Sequence, residues 1–248
     1  MLISVKELAR DWSVSPSGVV HVGAHLGEEA SAYEEFGWLP VIWLEAQPLL
    51  AQKLQESLHS PDHRIIQAAV WNVNNLILNL HVASNSQSSS LLEFGSHSTD
   101  YPNIKFTNEI AVESKRLDAL ISKSEMPNFI NLDIQGVEIQ AIEGLGDLIK
   151  NVDYIFIEVN RREVYINCTK VWELDKYLMH RGFKRVTTRW YLKQGWGDAL
   201  YIRNTTRKRR NVLQYLRSIF SQLMFYLIQF GGIFKRSFGK VLILFRMQ

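Results

Sequence analysis

Short apolar runs, each closed by a glycine or a carboxylate, are the feature that most restricts what this chain can fold into. Val19-Val20-His21-Val22 stops at Gly23, Val41-Ile42-Trp43-Leu44 at Glu45, and Phe129-Ile130-Asn131-Leu132 at Asp133. Tyr154-Ile155-Phe156-Ile157 runs into Glu158, and Ile65 to Val70 adds another run. Runs of this length with little alternation fit strands covered on both faces. Helical patterns lie between them. Ser4-Val5-Lys6-Glu7 is a capping box, which predicts a helix to about Trp12, ahead of Pro16-Ser17-Gly18. Glu28 to Phe36 places Ala30, Tyr33 and Phe36 on one side, with Gly37 as a stop. Pro48 suits a first turn, and Leu50, Leu54 and Leu58 follow at fourfold spacing. Val137 to Ile149 and Val171 to Met179 are predicted helices as well. Strands alternating with helices give a parallel sheet with helices on both faces.

Two more strands, Leu76 to Val82 and Phe106 to Glu113, flank the polar stretch Ser84 to Ser90, which is predicted to be loop. Phe183 to Tyr191 and Ala199 to Arg203 can close the sheet as an antiparallel pair. Composition excludes several classes. The 248 residues are 46% hydrophobic and 21% charged, so the chain is not disordered, collagenous or a coiled coil. Cys168 is the single cysteine, which excludes an intrachain disulfide and a cysteine-based zinc site, and no metal is expected. The first residues, MLISVKELARDWSVS, contain no apolar signal core, so a reducing, cytoplasmic setting is expected.

The net charge of +3 conceals an asymmetry. Residues 205–248 hold nine of the 28 basic residues and none of the 25 acids, so residues 1–204 are net acidic. A uniformly basic nucleic-acid surface is therefore disfavoured. The division predicts a body of residues 1–204 and a basic amphipathic tail of residues 205–248. In the tail, Val212, Leu213, Leu216, Ile219, Phe220, Leu223 and Leu227 recur at three and four. Gln214, Ser218, Ser221, Gln222 and Gln229 form the opposite stripe. Two readings stay open: an interfacial helix on an anionic membrane, or a helix packed on the body or a second subunit. Arg217, Gln222 and Gly231-Gly232 argue against a spanning helix.

In a doubly wound sheet, ligands bind beyond the carboxyl ends of the strands, where strand order reverses. Gly23-Ala24-His25-Leu26-Gly27 forms such a strand-to-helix turn, and Glu45, 22 residues after Gly23, ends the next strand. A glycine turn lets backbone approach a ligand, and the acid can accept from both hydroxyls of a ribose. That pair points to an adenosine-type ligand. The spacing does not complete GxGxxG, so a nicotinamide-dependent oxidoreductase is a weak reading.

Val20 to Gly27, Trp43-Leu44-Glu45-Ala46-Gln47-Pro48 and Leu132-Asp133-Ile134-Gln135-Gly136-Val137-Glu138 resemble the successive motifs of FkbM-type S-adenosylmethionine-dependent methyltransferases. Ser89-Ser90-Leu91, Arg116-Leu117-Asp118, Glu158-Val159-Asn160 and Trp196 to Tyr201 follow in order, so the resemblance covers about residues 18–203. It implies a class I methyltransferase fold: a Rossmann-like, mostly parallel seven-stranded sheet with helices on both faces and a reversed final strand. The tail would be a C-terminal helical extension. It further implies S-adenosyl-L-methionine as cofactor, with Gly23, Ala24 and Gly27 lining it and Glu45 holding its ribose. Asp133 would sit facing the sulfonium and the acceptor. Position 21 often carries an acid in this family; here it is His21, which either contacts the methionine moiety or is satisfied at a strand end.

Transfer to a hydroxyl also needs a group that takes its proton. Asp133, His25, His97 and Glu158 are the candidates. Glu138 is either a second carboxylate of the cleft or an acid at a helix start. The leading expectation is O-methylation of a sugar, glycan or other secondary metabolite. The alternative is a non-catalytic, methyltransferase-like adapter docked on a membrane or assembly through its tail.

Overall fold

The structure, a computed structural model, describes residues 1–207 and 211–227. The chain begins with α1 (Val5–Trp12), β1 (Val19–Val22), α2 (Ala30–Glu35), β2 (Val41–Glu45), α3 (Pro48–Ser57) and β3 (His63–Gln67). An inserted portion follows, with β4 (Ala69–Val70), β5 (Ile77–Ala83), α4 (His97–Asp100), β6 (Phe106–Lys115) and α5 (Leu117–Leu120). The chain then returns through β7 (Phe129–Leu132), α6 (Glu138–Glu143), β8 (Tyr154–Asn160), α7 (Val171–Met179), β9 (Phe183–Tyr191) and β10 (Trp196–Arg203). Seven strands form the main sheet in the order β3-β2-β1-β7-β8-β10-β9. All pairings are parallel except those of β10, which runs antiparallel to both neighbours.

Each central strand sends alternate residues to opposite faces, and two cores result. Val20, Val22, Ile130 and Leu132 meet α5, α6 and α7 through Leu117, Ala141, Ile142, Leu174 and Leu178. Val19, Val41, Trp43 and Phe129 meet α1, α2 and α3 through Leu8, Tyr33 and Leu54. Both sheet faces are therefore covered, as the unbroken apolar runs require. The first helix begins as its sequence demands: Glu7 N donates to Ser4 Oγ at 3.3 Å, and Ser4 N donates to Glu7 Oε2 at 3.0 Å.

Four expectations need correction. The run Ile65 to Val70 is two strands in two sheets. Its last main-sheet partner is Glu45, opposite Gln67, and beyond that β4 pairs with β6 in a three-stranded sheet of order β4-β6-β5. The helix expected from Val137 to Ile149 breaks at Gly144 and resumes as a 3₁₀ segment, Gly146–Asn151. There Gly144 passes so close to Trp71 O that a Cβ would lie 2.5 Å from it. The serine stretch is not simply solvated: Ser88 and Ser90 are buried, with Ser90 Oγ donating to Gln135 O and Tyr165 Oη to Ser88 O. β10 starts at Trp196, three residues before the expected Ala199.

The tail is helical over residues 212–227, as its periodicity predicts. Gln229 and Gly231-Gly232 lie outside the described residues.

Candidate functional site

Strand order reverses between β1 and β7, so the chain turns away in opposite directions from their carboxyl ends and leaves a crevice. The strand registers place one transverse row across that edge. Val22 pairs with both Leu44 and Leu132, and Leu132 with Ile157. One residue further on, Glu45, Gly23, Asp133 and Glu158 are neighbours, and Glu158 faces Asp198 on β10. Each acid ends or interrupts an apolar run, and together they line one cleft of about 460 Å³. That volume suits a small molecule or cofactor.

Gly23 is required in this row. Its φ is +83°, and a Cβ there would lie 1.9 Å from Asp133 O. Glu45 is buried, with Oε2 accepting from His25 N and Oε1 from Gln47 N, both at 2.8 Å. Burial raises the Glu45 pKa, and the backbone N–H groups of Gln47, His25 and Ala46 act against that rise. Each Glu45 oxygen accepts one of the 2.8 Å bonds, and a carboxylate has about four acceptor positions in all.

Gln135, at φ +56°, fastens the acids together. Its Nε2 donates to Asp133 Oδ1 at 2.5 Å and lies 3.4 Å from Glu158 Oε2. Its Oε1 accepts from Tyr165 Oη at 2.7 Å, and its backbone O from Ser90 Oγ at 2.8 Å. Burial pushes the Asp133 and Glu158 carboxyls above the usual range, and the neighbouring Asp133 charge lifts Glu158 further. Asp198 is raised to about 6, again by burial, although it accepts from the backbone N–H groups of Leu2 and Ile3. Met1 joins the lining beside it.

The histidines take different positions. His21 lines the cleft, stacks on Trp43 at 5.0 Å, and contacts Tyr33 Oη and Asn131 Nδ2, both at 3.3 Å. Burial lowers its pKa to about 4, so it is neutral near pH 7. His25 has both ring nitrogens occupied, Nδ1 by Glu28 at 2.6 Å and Nε2 by Ser86 at 2.7 Å. It pins the serine loop to the glycine turn. His97, expected in a loop, opens the short helix α4 and is buried. Its ring stacks on Phe94 at 4.2 Å, and Nε2 contacts Ser88 Oγ at 3.2 Å. The other nitrogen, Nδ1, has no hydrogen-bond partner among the described residues, and the residue lines the cleft.

Of the residues expected to hold a cofactor, His21, Gly23, Ala24, Glu45 and Asp133 line the cleft. Gly27 does not: its missing side chain makes room for Leu54, whose Cδ1 would lie 2.7 Å from a Cβ. All four candidate proton acceptors, Asp133, His25, His97 and Glu158, line it. Glu138 is fully buried outside the lining, accepting from Gly136 N at 2.7 Å. Sequence reasoning assigned no role to Gln135, Asp198 or Tyr165. Asp198 carried a signal, an acid interrupting an apolar strand; Tyr165 carried none.

Residues 21–185, about two-thirds of the chain, match the family described as "Methyltransferase FkbM domain". No curated protein matches. Among solved structures, a SAM-dependent methyltransferase from Aquifex aeolicus is similar at 11% identity, covering 81% of this chain and 90% of that one, with a TM-score of 0.45. Magnesium protoporphyrin IX methyltransferase from Synechocystis PCC 6803, with bound SAM, is similar at 14% identity, covering 80% and 76%, with a TM-score of 0.42. An uncharacterized protein from Listeria monocytogenes is similar at 10% identity, covering 84% and 70%, with a TM-score of 0.48.

Proposed function

The chain belongs to the FkbM methyltransferase domain family, and from that premise we propose that it transfers a methyl group from S-adenosylmethionine to a hydroxyl of a small molecule or glycan. The observation that carries this reading is the row Glu45, Gly23, Asp133, Glu158 along the walls of one cleft. The residues fit the cofactor. Glu45 retains acceptor capacity beyond its backbone donors, which suits ribose hydroxyls. Gly23 and Ala24 present backbone at the turn, and His21 offers a neutral imidazole. S-adenosylmethionine, when bound, supplies a methyl group activated by a sulfonium.

The chain's own residues then hold the acceptor and its proton. Asp133 and Glu158, both displaced upward, form a pair that exchanges a proton nearer neutral pH than an ordinary carboxylate does. Asp133 is the proposed base, with Gln135 fixing its orientation. His97 braces the cleft wall through Ser88 Oγ, its Nδ1 being buried beneath the surface. His25 positions the serine loop and leaves the proton to the carboxylates. Tyr101 and Trp196, joined by a 3.2 Å hydrogen bond, add flat apolar wall suited to a ring that carries hydroxyls. We place this work in the cytoplasm, in keeping with the single cysteine.

Calorimetry with S-adenosylhomocysteine, followed by labelled methyl transfer to a panel of hydroxylated acceptors, tests the proposal. Binding together with labelled ethers supports it. Absence of binding overturns it, label on nitrogen overturns the acceptor class, and binding without turnover on any acceptor makes the protein an adapter.

A further inference from the structure

The helix at residues 212–227 rests on the body by its polar side. Gln214 Nε2 donates to Ser13 Oγ at 2.5 Å, and Gln222 Nε2 donates to Thr187 Oγ1 at 2.9 Å. Ser221 Oγ donates to Glu7, and Ser218 is buried. At about 100° per residue these four side chains share one sector of the helix. Val212, Leu216, Phe220, Leu223 and Leu227 fall in the opposite sector and face solvent, with Val212 75% and Phe220 67% exposed. A helix on a protein surface ordinarily turns its apolar stripe inward. Here the stripe points out, and a continuous apolar face of this kind marks an interaction surface.

Charge selects what covers it. Residues 205–248 carry nine cations and no acid, and Arg217 is exposed on the same helix as the stripe. A second copy would set one such cationic segment against another and repel it. An anionic lipid surface accepts the apolar side chains among its acyl chains and the cations among its headgroups. The sequence of residues 228–248, rich in Phe, Ile and Leu and again free of acids, has the same character. No helix among the described residues is long and apolar enough to cross a membrane, so this one would lie in the interface.

We propose that the outward face of residues 212–227 docks the protein on an anionic membrane surface. The docked helix is connected to the cleft. Arg189 Nη2 donates to Ser221 Oγ, and Arg189 Nη1 donates to Leu2 O, each at 2.9 Å. Leu2 N in turn donates to Asp198 in the cleft wall. The proposal stands on the helix alone and does not depend on the methyl-transfer reading.

Flotation of the full chain with phosphatidylcholine vesicles, with and without phosphatidylglycerol, tests it. Binding is expected on the anionic vesicles, weakening as salt rises. The variant Leu216→Ser/Phe220→Ser/Leu223→Ser is expected to bind at least about tenfold more weakly. Circular dichroism melts on the same samples show that the variant is folded, and S-adenosylhomocysteine calorimetry reports separately on the proposed enzymatic function. Absence of flotation, or equal flotation of the variant, overturns the proposal. So does a wild-type dimer that the variant converts to monomer without any vesicle binding, which would make a second copy the occupant. Vesicle binding that appears only after removal of residues 228–248 also overturns it, because that segment would then be what covers the face.

Discussion

Asp133 and Glu158 are neighbours in one transverse row of the sheet and share one amide: Gln135 Nε2 lies 2.5 Å from Asp133 Oδ1 and 3.4 Å from Glu158 Oε2. Both carboxyls are displaced upward, burial being the main cause and the Asp133 charge adding to the rise of Glu158. A base in this pair is active as carboxylate, so turnover falls as pH drops through the raised pKa, above the ordinary range near 4. Glu158→Gln leaves the burial that mainly raises Asp133 in place, so the acidic limb is expected to stay above the ordinary carboxylate range. Asp133→Asn is expected to reduce turnover by about 10²–10⁴-fold, with a smaller change in cofactor affinity. The pH–rate profiles and calorimetry of both variants check this. A limb that falls to the ordinary range in Glu158→Gln would make the Glu158 charge its cause, and retained turnover in Asp133→Asn removes Asp133 as the base.

Glu45 is expected to act on binding and not on chemistry. Glu45→Gln keeps an acceptor for His25 N or Gln47 N but removes the charge and half of the acceptor capacity. Losing charge-assisted bonds to a ribose costs about 1.5–3 kcal/mol, or roughly 10- to 150-fold in affinity. Titration with S-adenosylhomocysteine measures it, and an unchanged Kd removes Glu45 from the cofactor site.

Two glycines with positive φ separate close approach from backbone strain. Gly23→Ala puts a Cβ 1.9 Å from Asp133 O, where β1 and β7 are joined by Asp133 N donating to Val22 O. Gly37→Ala meets nothing within 4 Å and bears only its φ of +67°. The second is expected to cost about 1–2 kcal/mol from the left-handed backbone alone. The first is expected to cost several kcal/mol more and to abolish cofactor binding. Urea melts of both variants give the comparison, and equal losses would show that contact with Asp133 plays no part.

The buried Glu138 sets a pH dependence of stability. Its side chain is fully buried, Oε2 has no partner among the described residues, and burial, aided by the Asp133 charge, raises its pKa to about 7. The folded state therefore holds a proton that the unfolded state releases near 4.5. Stability falls as pH rises from that value through 7, by on the order of 3 kcal/mol for this group. Glu138→Gln is expected to remove that share of the decline. Denaturant melts at pH 5 and pH 8 measure it, and a pH 5-to-8 difference equal to that of the wild type would place the dependence elsewhere.

The main sheet was legible because burial on both faces leaves unbroken apolar runs, and because Glu45, Asp133 and Glu158 each close or interrupt one. The capping box at Ser4 and the proline opening α3 are local chemistry, readable from neighbouring residues alone. What sequence could not supply were contacts made over long separations. His97 is buried because Phe94, Tyr101 and Tyr165 surround its ring, and nothing in Ser96 to Tyr101 announces that. Gly27 reads as a cofactor glycine, yet the space it leaves belongs to Leu54, whose approach depends on how α3 packs. The polar stripe of the tail was evident, but its docking against Ser13, Glu7 and Thr187 was not.

That docking determines what truncation should do. The tail helix buries Ser218 and is otherwise held by polar contacts and by Arg189 over the Phe225 ring at 4.8 Å. Such hydrogen bonds contribute about 0.5–1.5 kcal/mol each, and part of that is offset by the entropy of ordering the helix. Arg189 keeps Glu7 at 2.9 Å and Leu2 O when the tail is absent, so no buried charge is stranded. Ending the chain after Arg207 is therefore expected to leave the body folded, with a loss on the order of 1–2 kcal/mol and a Tm lower by several degrees. Calorimetric melting checks this, together with retained S-adenosylhomocysteine binding. A truncated body that is unfolded or insoluble would make the helix part of the core, and residues 1–204 would then not be an independent domain.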